Sequence, residues 1–182
     1  MDVYTLASRA QLLHQLGDTT GAIEVQQALM DHHPGFAAGH FNLGFMLQQA
    51  QRDAEAVTVF RKAVALQPGL DRAWYGLGLS LIRLGRLEGE GGAVAALEQN
   101  TALQPFSPHG WYQLARVRAK LGQTAQAEAI ALQLQTFEPR VAAQLHLELR
   151  RGPGQGACAG TPLKCDGPSA ATMAGTKAPV WN

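Results

Sequence analysis

The sequence has little charge and almost no cysteine. Charged residues make up 16% of the 182 residues, and the formal net charge is only +1. A protein that binds nucleic acid or a membrane surface would show a strong basic excess, so we expect neither kind of partner. The two cysteines, Cys158 and Cys165, lie outside the patterned part of the chain. A core without cysteine needs no oxidising compartment, and we therefore expect a cytoplasmic location.

Long apolar runs are also missing. No uninterrupted apolar stretch approaches the ~20 residues that a membrane-spanning helix needs. The N-terminal segment shows no basic residues followed by an apolar run, so we expect no secretory signal. Hydrophobic residues nevertheless make up 46% of the chain, which is enough to bury a core.

No arrangement of residues typical of an enzyme stands out. The glycines of the segment GEGG follow no strand pattern, so we interpret them as a lengthened turn and not as a phosphate-binding loop. None of the six histidines has a second histidine or a cysteine at the i, i+4 spacing of a helical metal site. Cys158 and Cys165 have no partnering Cys or His pair. We therefore predict no enzymatic activity, no metal and no cofactor.

Prolines recur at a regular interval. Pro34 and Pro68 are 34 residues apart, and so are Pro105 and Pro139. The interval between Pro68 and Pro105 is longer by three residues. A period of this length indicates a repeated pair of helices, because one hairpin cannot bury its apolar face alone and stacking supplies the core.

Similar residues follow Pro34, Pro68 and Pro105 at fixed distances, and a weaker copy precedes Pro34. The recurring residues of the successive copies are Leu6, Ala10 and Gly17; His40, Leu43 and Gly44; Trp74, Leu77 and Gly78; and Trp111, Leu114 and Ala115. They resemble the tetratricopeptide repeat family over residues 2–139, with a weaker first copy. The resemblance implies an all-α fold, a right-handed α-solenoid of antiparallel helix hairpins.

The pattern predicts the helices. First helices are expected near 3–16, 37–50, 71–84 and 108–121, and their partners near 19–32, 53–66, 92–104 and 124–137. The four repeats would then occupy residues 3–34, 35–68, 69–105 and 106–139. The extra residues of the third copy are expected to lengthen its turn or to fray the start of its second helix.

Two segments follow the repeats. Val141, Leu145 and Leu149 recur every four residues, which predicts a capping helix over residues 140–151. Residues 152–182 are rich in Gly, Ala and Pro and show no periodicity, so we expect a disordered tail.

The resemblance also implies a binding surface. In the family, the first helices line a concave groove, and the residue after the aromatic anchor points into it, as do residues one and two turns further on. Carried over to this sequence, the predicted peptide-binding residues are Phe41, Asn42, Phe45, Arg72, Tyr75, Arg83, Tyr112, Arg116 and Lys120. No carboxylate occupies the projected groove positions, which indicates an acidic or C-terminal peptide segment with apolar anchors as the ligand.

Some family members hold the C-terminal carboxylate of a chaperone tail with five Lys, Asn and Arg residues. The matching positions here are Ala7, Gln11, Asn42, Arg72 and Gly76. Only Asn42 matches outright, so we do not expect this clamp.

These observations favour a protein-protein interaction scaffold or adaptor that binds a segment of another protein. One alternative is a regulatory module of a larger enzyme system of the transferase or hydroxylase type, because arrays of this kind often precede such domains. Another alternative is a structural protein that self-associates end to end, which the weak first copy suggests.

Overall fold

The computed structural model describes residues 3–151, which form nine helices and no strand. The helices are α1 Val3–Gln15, α2 Thr19–His32, α3 Ala37–Gln49, α4 Asp53–Leu66, α5 Asp71–Arg83, α6 Ala93–Leu103, α7 Pro108–Lys120, α8 Thr124–Gln135 and α9 Pro139–Arg151. Each helix lies within about two residues of the span that the repeat pattern predicts. None of these helices is both long enough and apolar enough to span a bilayer. The predicted tail, residues 152–182, lies outside the described residues.

Consecutive helices pack as hairpins, and the hairpins stack in chain order. The pairs α1 with α2, α3 with α4, α5 with α6 and α7 with α8 are joined by short turns, and each second helix packs on the first helix of the next pair. The last helix, α9, packs on both α8 and α7. The chain is therefore an all-α solenoid of antiparallel hairpins, which confirms the predicted fold class.

Glycine allows α3, α4 and α5 to approach one another closely. Phe60 of α4 is fully buried, and its ring lies against Gly44 of α3 and Gly76 of α5. A Cβ atom added at Gly44 would lie 2.7 Å from this ring, and one added at Gly76 would lie 2.6 Å from it. The three helices approach one another this closely because neither glycine has a side chain.

The turn inside each hairpin has a residue in the left-handed conformation shortly after the end of the first helix. Gly17, Gly85 and Gly122 take this place with φ angles of 85°, 71° and 77°. In the second hairpin the residue is Gln51, with a φ of 59°. A residue with a Cβ atom is disfavoured in this conformation, so Gln51 departs from the pattern at a cost in stability.

A hydrogen bond ties each aromatic anchor to the turn that precedes it. The indole N–H groups of Trp74 and Trp111 donate to the carbonyl oxygen of the proline six residues earlier, at 2.8 Å in both cases. Nε2 of His40 lies 2.8 Å from the corresponding proline oxygen. His40 thus reproduces the polar contact of tryptophan with a smaller ring, which explains how it substitutes for the aromatic anchor.

The extra residues of the third repeat lengthen its turn, as predicted. The turn runs from the end of α5 at Arg83 to the start of α6 at Ala93. The backbone N–H groups of Ala93 and Val94 donate to the carbonyl oxygens of Arg86 and Leu87 at 3.0 and 3.1 Å. The turn therefore satisfies donors at the start of α6 that would otherwise lack a partner.

The buried apolar side chains form two clusters that meet within α6. One cluster extends from Leu6 to Ala96, and the other extends from Leu97 to Leu145. Ile82 and Leu87 are partly buried and pack against both clusters. These two residues therefore connect the two parts of the core.

Candidate functional site

The odd-numbered helices lie side by side and form one face of the stack. Gln48 of α3 donates to Ser80 of α5 at 2.9 Å, and the ring of His14 in α1 lies edge-on to that of Phe45 in α3, with centroids 6.0 Å apart. Helices α7 and α9 also contact each other. We call the surface of α1, α3, α5, α7 and α9 the odd-helix face. All nine residues predicted to bind a peptide belong to α3, α5 or α7.

The α3 part of this face is aromatic. Phe45 is 40% exposed beside His14. Phe41 is half-buried, and its ring centroid lies 6.2 Å from that of Phe60. Asn42 is exposed next to it. This part of the face offers ring surface and one side-chain amide.

The α5 part begins with Arg72, which is exposed, and Tyr75, which is half-buried. Burial raises the pKa of the Tyr75 hydroxyl, and a hydrogen bond with Gln113 of α7 acts in the opposite direction. At neutral pH this tyrosine is therefore a neutral ring with a polar end.

Arg83, near the end of the same helix, is held by a carboxylate from outside the face. Its Nη1 atom lies 3.1 Å from Oδ1 of Asp53, the first residue of α4, and 3.4 Å from the carbonyl oxygen of Gln48. The Arg83 side chain is still 45% exposed, whereas that of Asp53 is 11% exposed. The projected groove positions contain no carboxylate, but Asp53 at the start of α4 supplies one to this arginine.

A polar cluster joins α7 to α9. The Tyr112 hydroxyl donates to Oε1 of Glu148 at 2.5 Å, and Nε of Arg116 lies 3.4 Å from Oε2 of the same carboxylate. Nε2 of Gln144 lies 3.3 Å from Oε1 of Glu148 and 3.2 Å from the Tyr112 hydroxyl. The Arg116 guanidinium lies 5.6 Å from the centre of the Tyr112 ring. Three donors thus converge on one carboxylate group, and we call them, with Glu148, the α7–α9 cluster.

Burial and the neighbouring carboxylate raise the pKa of Tyr112 to about 12, and the charge of Arg116 opposes the shift. The hydroxyl therefore stays protonated at neutral pH and acts as a donor. Sequence reasoning missed Glu148 because the family pattern assigns the groove to the first helices, whereas this carboxylate belongs to the capping helix.

Lys120 extends the positive charge of α7 beyond the cluster. It is exposed and lies one helical turn after Arg116. Within residues 3–151, no carboxylate forms an ion pair with it. Of the cations on α7, Lys120 is thus accessible to an external anion without displacing an internal one.

The positions that match the chaperone-tail clamp are not arranged to hold a carboxylate. Gly76 is buried against Phe60, and a Cβ atom there would overlap the ring. Ala7 is half-buried and has no polar side-chain atom.

We also searched the described residues for a metal site and for a ligand cleft. Among residues 3–151, no three His, Cys, Asp or Glu side chains are grouped closely enough to hold a metal ion. A shallow cleft of about 440 Å³ lies at the lengthened turn of the third repeat and is lined by Arg61, Arg86, Glu88 and Glu90 among others. None of the predicted peptide-binding residues lines this cleft.

Residues 37–70 match the family model of the tetratricopeptide repeat. This segment comprises α3, α4 and the turn that leads to α5. The second helix hairpin is therefore a tetratricopeptide repeat. A comparison with curated protein sequences finds no match.

Solved structures share the fold of this helix stack. The structure titled MamA 41-end from Desulfovibrio magneticus RS-1 is 17% identical, with a TM-score of 0.69 over 82% of this chain and 93% of that one. A tetratricopeptide repeat protein from Parabacteroides merdae ATCC 43184 is 18% identical, with a TM-score of 0.74 over 82% of this chain and 59% of that one. At these identities the likeness concerns the fold alone.

Proposed function

We propose that this tetratricopeptide repeat array is a non-catalytic scaffold that binds a segment of another protein along its odd-helix face. The observation that carries the proposal is the recurrence of partly exposed aromatic and cationic side chains on consecutive odd helices. Phe45 lies on α3, Tyr75 and Arg83 lie on α5, and Tyr112 and Arg116 lie on α7. Aromatic residues and arginine are the types that protein interfaces enrich.

The chemistry of this face favours an acidic segment with one or two bulky apolar side chains. The rings would supply apolar burial, and the cations would supply orientation and a faster association rate. Because exposed ion pairs contribute only ~0–1 kcal/mol each and the segment must be ordered, we expect micromolar affinity. Rising salt should weaken the complex moderately, since the pairs are partly exposed.

A crosslinking experiment tests which face binds. A photoreactive amino acid is introduced at Phe45 on the odd-helix face, and at exposed Lys62 of α4 as the matched control. We expect the same partner protein to be captured in cells through position 45 and not through position 62. Capture of the partner through position 62 alone would contradict the proposal.

Self-association is a second candidate, because α1 and the residue that follows it leave apolar side chains exposed at one end of the stack. Tyr4, Leu12 and Leu16 are 78%, 56% and 74% exposed. If this end joins a second copy, sedimentation at rising concentration should reveal oligomers that the double replacement of Leu12 and Leu16 by Glu abolishes. A wild-type chain that stays monomeric at all concentrations would exclude this candidate.

A further inference from the structure

The α7–α9 cluster contains a carboxylate that occupies the basic end of the odd-helix face. The two Glu148 oxygens have separate partners, since Oε1 accepts from Tyr112 and Oε2 faces Arg116. Gln144 adds a third donor to Oε1. A carboxylate from any other chain would find the same donors there if the Glu148 side chain turned away.

Exposure makes such an exchange feasible. The Arg116 side chain is 54% exposed and that of Glu148 is 37% exposed, so both groups are hydrated in part. An ion pair of this kind contributes little net stability, because water compensates each partner when the pair opens. The glutamate has no other ion pair within residues 3–151, and Lys120 one turn away would attract an entering anion.

We propose that Tyr112, Arg116 and Gln144 form a carboxylate-binding subsite of the odd-helix face, which Glu148 fills in the free protein and which an Asp or Glu side chain of a bound acidic segment takes over. The inference rests on the proposed function, because it names the subsite that receives the acidic residue. Glu148 then acts as an internal competitor, and it selects against segments that carry no carboxylate at this point.

The competition predicts that removing Glu148 strengthens binding. A ligand carboxylate would no longer have to break the hydrogen bond between Glu148 and the Tyr112 hydroxyl. Hydrogen bonds to a charged group are among the strongest in proteins, so we expect Glu148→Ala to raise affinity for an acidic segment about tenfold. The gain should disappear when Tyr112→Phe is added, because the subsite then lacks its closest donor.

The probes are peptides selected from a random dodecapeptide phage library on the wild-type array and labelled with fluorescein. Each is paired with a copy in which Asp and Glu are replaced by Asn and Gln. Fluorescence anisotropy gives the affinity of both peptides for wild type, Glu148→Ala and the isosteric Glu148→Gln, with circular dichroism as the check on folding. Glu128→Ala is the matched control, since Glu128 is an exposed residue of α8.

The expected result is tighter binding of the acidic peptide to both Glu148 variants, no gain for its amide copy, and no change with Glu128→Ala. Unchanged or weaker binding by folded Glu148 variants, with peptides that still crosslink to position 45, overturns the subsite and leaves the proposed function standing. If no selected peptide contacts the odd-helix face, both proposals fall.

Discussion

The packing of Phe60 between two glycines makes Gly76→Ala an informative perturbation. The new methyl group would lie 2.6 Å from the nearest atom of the Phe60 ring, and Gly44 of α3 also lies against that ring. The ring is fully buried, so it has little room to retreat. Forced contacts of this kind cost ~1–3 kcal/mol. Alanine recovers about 1 kcal/mol through its better helix propensity, which leaves a net loss of up to about 2 kcal/mol.

The proposed clash is tested by repeating Gly76→Ala in a protein in which leucine replaces Phe60. Phe60→Leu alone should destabilise the array, because it leaves a cavity between α3 and α5. In that background Gly76→Ala should be neutral or stabilising, so the two changes should not be additive. Urea unfolding followed by tryptophan fluorescence measures all four variants. Gly69→Ala is the control, since a Cβ atom there has no neighbour within 4 Å.

Two results would refute this reasoning. One is a Gly76→Ala protein that is more stable than the wild type with Phe60 in place. The other is an equal loss of stability with Phe60 and with Leu at position 60, which would mean that the methyl group meets something other than the ring.

Three further predictions concern single side chains. Replacing Gln51 by Gly should raise the free energy of unfolding by about 0.5–1 kcal/mol, whereas Gly85→Ala should lower it, because both positions have positive φ. The midpoints of urea unfolding measure both effects. Trp74→Phe keeps a ring but loses the hydrogen bond to Pro68. Thermal unfolding should therefore show a loss of stability of about 1 kcal/mol, and an unchanged stability would mean that the bond contributes nothing. The pKa of Tyr112 is about 12 in the folded state and near 10 when unfolded. Its contribution to stability is therefore complete below pH 10 and lost towards pH 12, which ultraviolet titration and unfolding of wild type against Tyr112→Phe should show.

The repeat period predicted the helices closely because each hairpin is built from local contacts. Pro68 and Trp74 lie six residues apart in sequence and are joined by a hydrogen bond in the structure. Glycine in the left-handed conformation marks the turns at Gly17, Gly85 and Gly122. Gln51 occupies the same place without being glycine, and only its position relative to the other copies points to it.

The partners of the cations could not be predicted from the same pattern. Arg83 meets Asp53, which is 30 residues away, and Arg116 meets Glu148, which is 32 residues away. Both carboxylates come from helices that the family pattern does not assign to the groove. The rotation between successive hairpins decides which side chains of these helices reach the odd-helix face. No local pattern in a single sequence indicates this rotation.

The position of Leu87 gives the lengthened turn of the third repeat a mechanical role. Leu87 belongs to this turn and packs against both halves of the core. The side chains that other turns contribute, such as Leu70 and Leu121, pack against one half only, whereas both halves share Leu87. Trimming the turn to the 34-residue period would therefore remove a contact between the two halves of the core. The last repeat and its capping helix would then unfold less cooperatively with the first three repeats.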